Sequence, residues 1–113
     1  MQPIQVTVTG TAASTAFLMD YMQNPFNVSI GCVIGTAAGT FTVQHCFDYS
    51  TVFSPTWNGS TGVTWFNNSG ITNASASIAG NYAFPVAAIR LNVTGALATT
   101  TVTMNITQAS NAP

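Results

Sequence analysis

His45 and Cys46 stand side by side, and a histidine next to a thiol is the pairing from which a nucleophilic dyad is built. An extended chain denies them that use. Neighbouring strand residues point to opposite faces, so this imidazole and this thiol cannot hydrogen-bond to each other. A dyad would need Cys32 to meet His45, and a reactive thiolate would need positive surroundings. Arg90 is the sole Lys or Arg of the chain. His45 therefore reads as a structural histidine.

Other chemistry fares no better. Two Cys and one His at these spacings match no zinc pattern, so no metal is expected. Glycosidase work requires two carboxyl groups roughly 5–10 Å apart. The chain offers only Asp20 and Asp48, which read as turn or strand-end acceptors for backbone N–H groups. No G-x-S-x-G elbow or phosphate-binding loop is present. Arg90 reads as a salt bridge or carbonyl contact, inside the fold or across a subunit interface. The expectation is a protein that is not an enzyme and holds no cofactor.

The elements that carry these residues have a period of two. Ile4, Val6 and Val8 alternate with Gln5, Thr7 and Thr9; Phe41, Val43, His45 and Phe47 alternate with Thr42, Gln44, Cys46 and Asp48; Val102, Met104 and Ile106 alternate with Thr101, Thr103 and Asn105. β-Branched and aromatic residues in strict alternation make strands with one face on a core. Ala12 to Met22 has no clear helical stripe. Turn signals at Gly10, Asn24-Pro25, Gly35–Gly39, Ser54-Pro55, Asn58-Gly59, Asn68–Gly70, Gly80-Asn81 and Gly95 divide the chain. The strands fall near 4–9, 15–22, 26–34, 40–48, 62–66, 71–78, 82–93 and 98–107. That pattern predicts an all-β fold: one antiparallel, jelly-roll-like β-sandwich of roughly eight strands. It occupies a single domain over residues 1–113, with short flexible termini.

Three local expectations follow. A turn across Thr36–Gly39 makes a hairpin of 26–34 and 40–48. Cys32 then lies on the core face and Cys46 on the opposite one, half-exposed and unable to bridge to Cys32. The large apolar residues change phase beside Pro85, from Tyr82, Phe84 and Val86 to Ile89, Leu91 and Val93, which predicts a bulge or a strand bending between sheets. Tyr49 to Gly62 is an exposed loop carrying Phe53, Pro55 and Trp57. Within it Trp57 is a contact residue, an interface anchor or a sugar reader, whereas Trp65 shares a strand face with Val63 and belongs to the core.

Charge narrows the role. Charged residues are 3% of the 113, with a formal net charge of −1, against about 25% charged in ordinary soluble domains. Hydrophobic residues are 47%, enough for a packed core. A near-neutral surface gives almost no repulsion between copies, and hydroxyls and amides enter an interface without stripping water from ions. A single Arg cannot neutralise a row of phosphates, so nucleic acid is not an expected partner. Nor is a membrane, because the longest apolar run, Ala83 to Ile89, is far short of the roughly 20 residues that span a bilayer. The start Met1–Gln5 lacks the regions of a signal peptide, which predicts a cytoplasmic product. The sequons at Asn27, Asn58, Asn67, Asn73, Asn92 and Asn105 then read as a by-product of Asn-, Ser- and Thr-rich composition.

The stretches Asn24-Pro25-Phe26-Asn27-Val28-Ser29-Ile30, Thr40-Phe41-Thr42-Val43-Gln44-His45, Trp65-Phe66 and Gly80 to Leu91 resemble small virion proteins of tailed bacteriophages. Related β-sandwich proteins of that kind decorate or cement the head. The likeness covers about residues 20–108, through structural rather than catalytic motifs. Such proteins tend to carry acidic residues after the region matching His45, where this chain has only Asp48. The resemblance implies a homo-oligomer, with a trimer favoured, that binds the major capsid protein on the capsid surface after assembly in the host cytoplasm. Interface candidates are Arg90, Trp57 and Phe53. The alternatives are a tail or fibre adaptor, a head-completion protein, or a glycan-binding sandwich module that uses Trp57.

Overall fold

The computed structural model describes residues 3–22, 26–35, 37–59 and 61–108. The Asn24-Pro25 turn signal, Thr36 and both chain ends lie outside the described residues. The elements are β1 (Ile4–Thr9), β2 (Ala12–Ala13), β3 (Phe17–Leu18), β4 (Val28–Ile34), β5 (Thr40–Cys46), a helical turn α1 (Tyr49–Val52), β6 (Phe66–Asn67), β7 (Ile78–Tyr82), β8 (Ala88–Thr94) and β9 (Thr101–Gln108).

Two antiparallel sheets face each other. The first has the order β1-β9-β4-β7, and the second β2-β8-β5-β6, with β3 also on β8. Taking β2 and β3 as one interrupted strand, this is the eight-strand jelly roll. Every connection except β2 to β3 and β5 to β6 carries the chain from one sheet to the other.

The alternating strands do what their patterns demand. In β1 and β9, Ile4, Val6 and Val8 oppose Ile106, Met104 and Val102 on the inner face. On the outer face Gln5 Nε2 donates to Asn105 Oδ1 at 2.9 Å, and the Thr7 and Thr103 hydroxyls pair at 2.9 Å. These uncharged cross-strand pairs hold the register where other proteins use ions, at about 0.2–1 kcal/mol each. Phe41, Val43, Ile89, Leu91, Val93, Val28, Ile30 and Met104 close the core between the sheets. Each such side chain contributes about 1.5–3 kcal/mol when fully buried.

One strand pairing departs from the sequence expectation. β4 and β5 do not form a hairpin: β4 pairs with β7 and β9, and β5 with β8 and β6. The Gly35–Gly39 connection crosses between the sheets, and its glycines serve close packing. A Cβ on Gly35 would meet Thr101 Oγ1 at 2.7 Å, and one on Gly39 would meet Thr100 Cγ2 at 2.8 Å. The phase change beside Pro85 is a crossing as well, since Tyr82 ends β7 in the first sheet and Ala88 begins β8 in the second.

The expected strands at 62–66 and 71–78 shrink. Only Phe66–Asn67 forms β6, and the chain from Asn68 to Ala74 meets the β5 edge irregularly, through Asn68 N–H to Val43 O, Val43 N–H to Ile71 O and Phe41 N–H to Ala74 O.

A candidate binding cleft between the edge strands

The stretch from Tyr49 to Gly62, expected as an exposed loop, is so at Phe53 and Pro55 but not at Val52, which is buried. The chain from Tyr49 to Trp65 folds back over the outer face of the second sheet and makes a second, smaller core. Val52 packs with Cys46, Ala87 and Ala88, and Tyr49, Trp57, Val63 and Trp65 close over them. Asp48 anchors the segment, because its Oδ2 accepts from Thr64 N–H at 2.9 Å. Asp20 Oδ1 likewise accepts from Met22 N–H at 3.1 Å, so both carboxylates serve backbone amides.

This cover corrects the placement of Cys46. Its thiol is buried rather than half-exposed, because the outer face of its strand is roofed. Both cysteines are free. Cys32 faces the main core from the first sheet, whereas Cys46 faces the small core outside the second. Burial pushes the Cys32 thiol up to about 11 and raises that of Cys46.

Arg90 lies beneath the same cover. Its guanidinium carbon sits 4.4 Å from the centre of the Trp65 ring, and its Nε donates to Gln44 Oε1 at 2.8 Å. The contact is thus a cation–π pair plus an amide carbonyl. Trp65 Nε1 is a buried donor without a partner among the described residues. Trp57 is also tied down, its indole N–H donating to Thr61 O at 2.6 Å while its ring packs on the small core. Of the three interface candidates Phe53 is the exposed one, at 42%, with its ring 5.3 Å from that of Tyr21.

The main aromatic surface lies elsewhere, where the edge strands β6 and β7 part. Phe47, Phe66 and Phe84 are 40%, 48% and 48% exposed. They surround the His45 ring at centroid distances of 5.2, 6.1 and 5.6 Å. Pairing sets two of these positions, since His45 opposes Phe66 across β5 and β6. The crossing after β7 brings in Phe84. Together they line a cleft of about 580 Å³, bordered by Asn67, Ser69 and Asn81. Sequence periodicity placed Phe47 and Phe84 on core faces and could not show that both lie at the open margin of the sandwich.

His45 forms the floor, 6% exposed. Its Nδ1 is 2.8 Å from Tyr82 Oη. Asn68 lines the same cleft, its Oδ1 accepting from Gly70 N–H at 2.9 Å. Either neutral tautomer satisfies the His45–Tyr82 bond, the phenol donating to Nδ1 or accepting from Nδ1–H. Burial lowers the His45 pKa and raises that of Tyr82, so both are neutral at pH 7. His45 and Cys46 point to opposite sides of the sheet, His45 to the main cleft and Cys46 to the small core.

The architecture belongs to the jelly-roll sandwiches, a scaffold shared by viral coat domains, lectins and cupins. Compared with models of protein families, with curated proteins and with solved structures, the chain matches none. Its own geometry is the guide to function, because a fold of this breadth implies no single activity.

Proposed function

We propose that this protein is a non-enzymatic structural subunit of a virion, a decoration or cement protein. It binds the major capsid protein of a tailed bacteriophage on the outside of the head and stabilises it. The observation that carries this reading is a neutral, ion-poor exterior that bears an exposed apolar cluster on a well-packed sandwich. Tyr21, Phe53, Met22 and Leu18 are 37%, 42%, 76% and 44% exposed. The Tyr21 ring lies 5.3 Å from Phe53 and 4.6 Å from Tyr49. Aromatic groups of this kind anchor interfaces, while the uncharged Thr, Gln and Asn ladders of the outer strands can be buried without desolvating ions. Copies on a lattice add avidity to modest single contacts. Resemblance over residues 20–108 to small phage virion proteins points the same way, with a trimer as the favoured assembly.

Copy number in purified particles tests the reading. Hundreds of copies per head are expected, and about a dozen or fewer would move the protein to a tail or vertex. Binding of added protein to heads lacking it is expected to change little between low and high salt, because the contacts are not ionic. Phe53→Ser with Tyr21→Ser is expected to reduce occupancy at least about tenfold, the equivalent of about 1.4 kcal/mol. Undiminished occupancy removes this surface from the interface.

A further inference from the structure

We infer that the cleft between β6 and β7 is a binding site for a neutral saccharide, which packs a ring face on Phe66 and Phe84 and hydrogen-bonds His45 at the floor. This goes beyond the assembly role and does not depend on it.

The cleft, about 580 Å³, lies within the range of about 300–1,000 Å³ usual for small-molecule sites. Its chemistry is mixed in a particular way. Phe47, Phe66 and Phe84 present half-exposed rings, and phenyl faces carry the negative side of their quadrupole toward whatever packs on them. Among the described residues no Asp, Glu, Lys or Arg lines the cleft. Arg90 is held on the other face of the second sheet by Trp65 and Gln44. An anionic ligand would therefore find no cation.

A purely apolar ligand is excluded by the floor. His45 Nδ1 is engaged by Tyr82, which leaves Nε2 as a polar ring nitrogen with no partner among the described residues on a side chain 6% exposed. Covering that nitrogen with hydrocarbon costs about 1–3 kcal/mol whether it donates or accepts. Asn67, Ser69 and Asn81 on the border would add to the loss. A pyranose meets both demands. Its C–H face packs on phenyl rings, its hydroxyls satisfy the imidazole and the polar border, and it carries no charge.

The test uses the full chain and amide-detected NMR, with a panel of neutral gluco-, galacto- and manno-oligosaccharides and their sialylated or sulfated counterparts. A neutral sugar is expected to give saturable shifts at Phe66, Ser69, Asn81 and Phe84, with a Kd of about 1 mM or tighter. Phe66→Ala and Phe84→Ala are each expected to weaken binding at least about tenfold, and Trp57→Ala to leave it unchanged. If either phenylalanine variant fails to fold, intermolecular NOEs between sugar C–H protons and the phenyl protons of the wild-type protein decide the same point. Absence of saturable shifts with every neutral sugar overturns the inference, as does binding that survives both substitutions. Preference for the acidic glycans overturns it too. So does a change of oligomeric state in the phenylalanine variants without sugar binding, which would make the cleft a contact between copies.

Discussion

Tyr82 Oη lies 2.8 Å from His45 Nδ1, and this bond ties the last residue of β7 in one sheet to the penultimate residue of β5 in the other. It is a polar rivet at the margin of an apolar sandwich. The rivet holds the imidazole in place at the floor of the cleft.

Tyr82→Phe removes the hydroxyl and leaves His45 Nδ1 without its partner. The expected loss is about 1–3 kcal/mol, read as a lower urea midpoint at unchanged m-value. A loss under about 0.3 kcal/mol would mean that water replaces the hydroxyl, and that the rivet is not a structural constraint.

Burial holds the His45 imidazole below its ordinary 6.5. The unfolded chain therefore takes up its proton first as pH falls, and stability rises with pH wherever the unfolded state binds more protons. The contribution is whole above the unfolded value. It declines from about pH 6.5 downward and is lost once the folded value is passed. Thermal midpoints measured from pH 8 to pH 4 are expected to be flat at first and then to fall. His45→Gln should flatten the slope just below pH 6.5.

Both thiols are buried, and burial raises both pKa values. The folded protein is expected to react with a disulfide reagent only through opening, and in 6 M guanidinium both thiols should react at once. Rapid labelling of Cys46 in native buffer would show that the segment from Tyr49 to Trp65 lifts from the sheet.

Arg90 and Trp65 should be energetically coupled. Arg90→Met keeps the stem but loses the ring contact and the bond to Gln44, with an expected cost of about 1–2 kcal/mol. In a Trp65→Ala background the same change should cost less by about 0.5–1 kcal/mol, the size of a partly exposed cation–π pair. Trp65→Phe is expected to be mild, because it keeps an aromatic face and removes the unpartnered indole donor. Additive losses in the double variant would end the coupling.

Much of the fold was legible because alternation is a local signal. The β1 and β9 patterns, the absence of a helix in Ala12 to Met22 and the change of phase at Pro85 are each carried by a few neighbouring residues. The hairpin of β4 with β5 was not legible as false. A short glycine-bounded connection looks alike whether it turns within a sheet or crosses between two, and the hydrogen-bond partners of β4 lie in β7 and β9, far along the chain. The cleft was only half legible. His45 emerged as a structural histidine and Trp57 as a contact residue, but nothing local showed that Phe47, Phe66 and Phe84 meet around His45. Phe47 and Phe84 carried a core parity that ends where the sheets diverge.

Local chemistry, written in the order of residues, determined most of the strands, the two-sheet class, the neutral character of the surface and the isolation of Cys46 from His45. Those follow from side-chain alternation and charge count, which need no knowledge of neighbours in space. Tertiary structure alone decided which strands pair, that the chain from Tyr49 to Trp65 roofs the second sheet over Cys46 and Arg90, and that three phenylalanines ring one histidine between β6 and β7. These are contacts between residues distant in sequence, and their geometry is set by how the two sheets pack once every long-range hydrogen bond has found its partner.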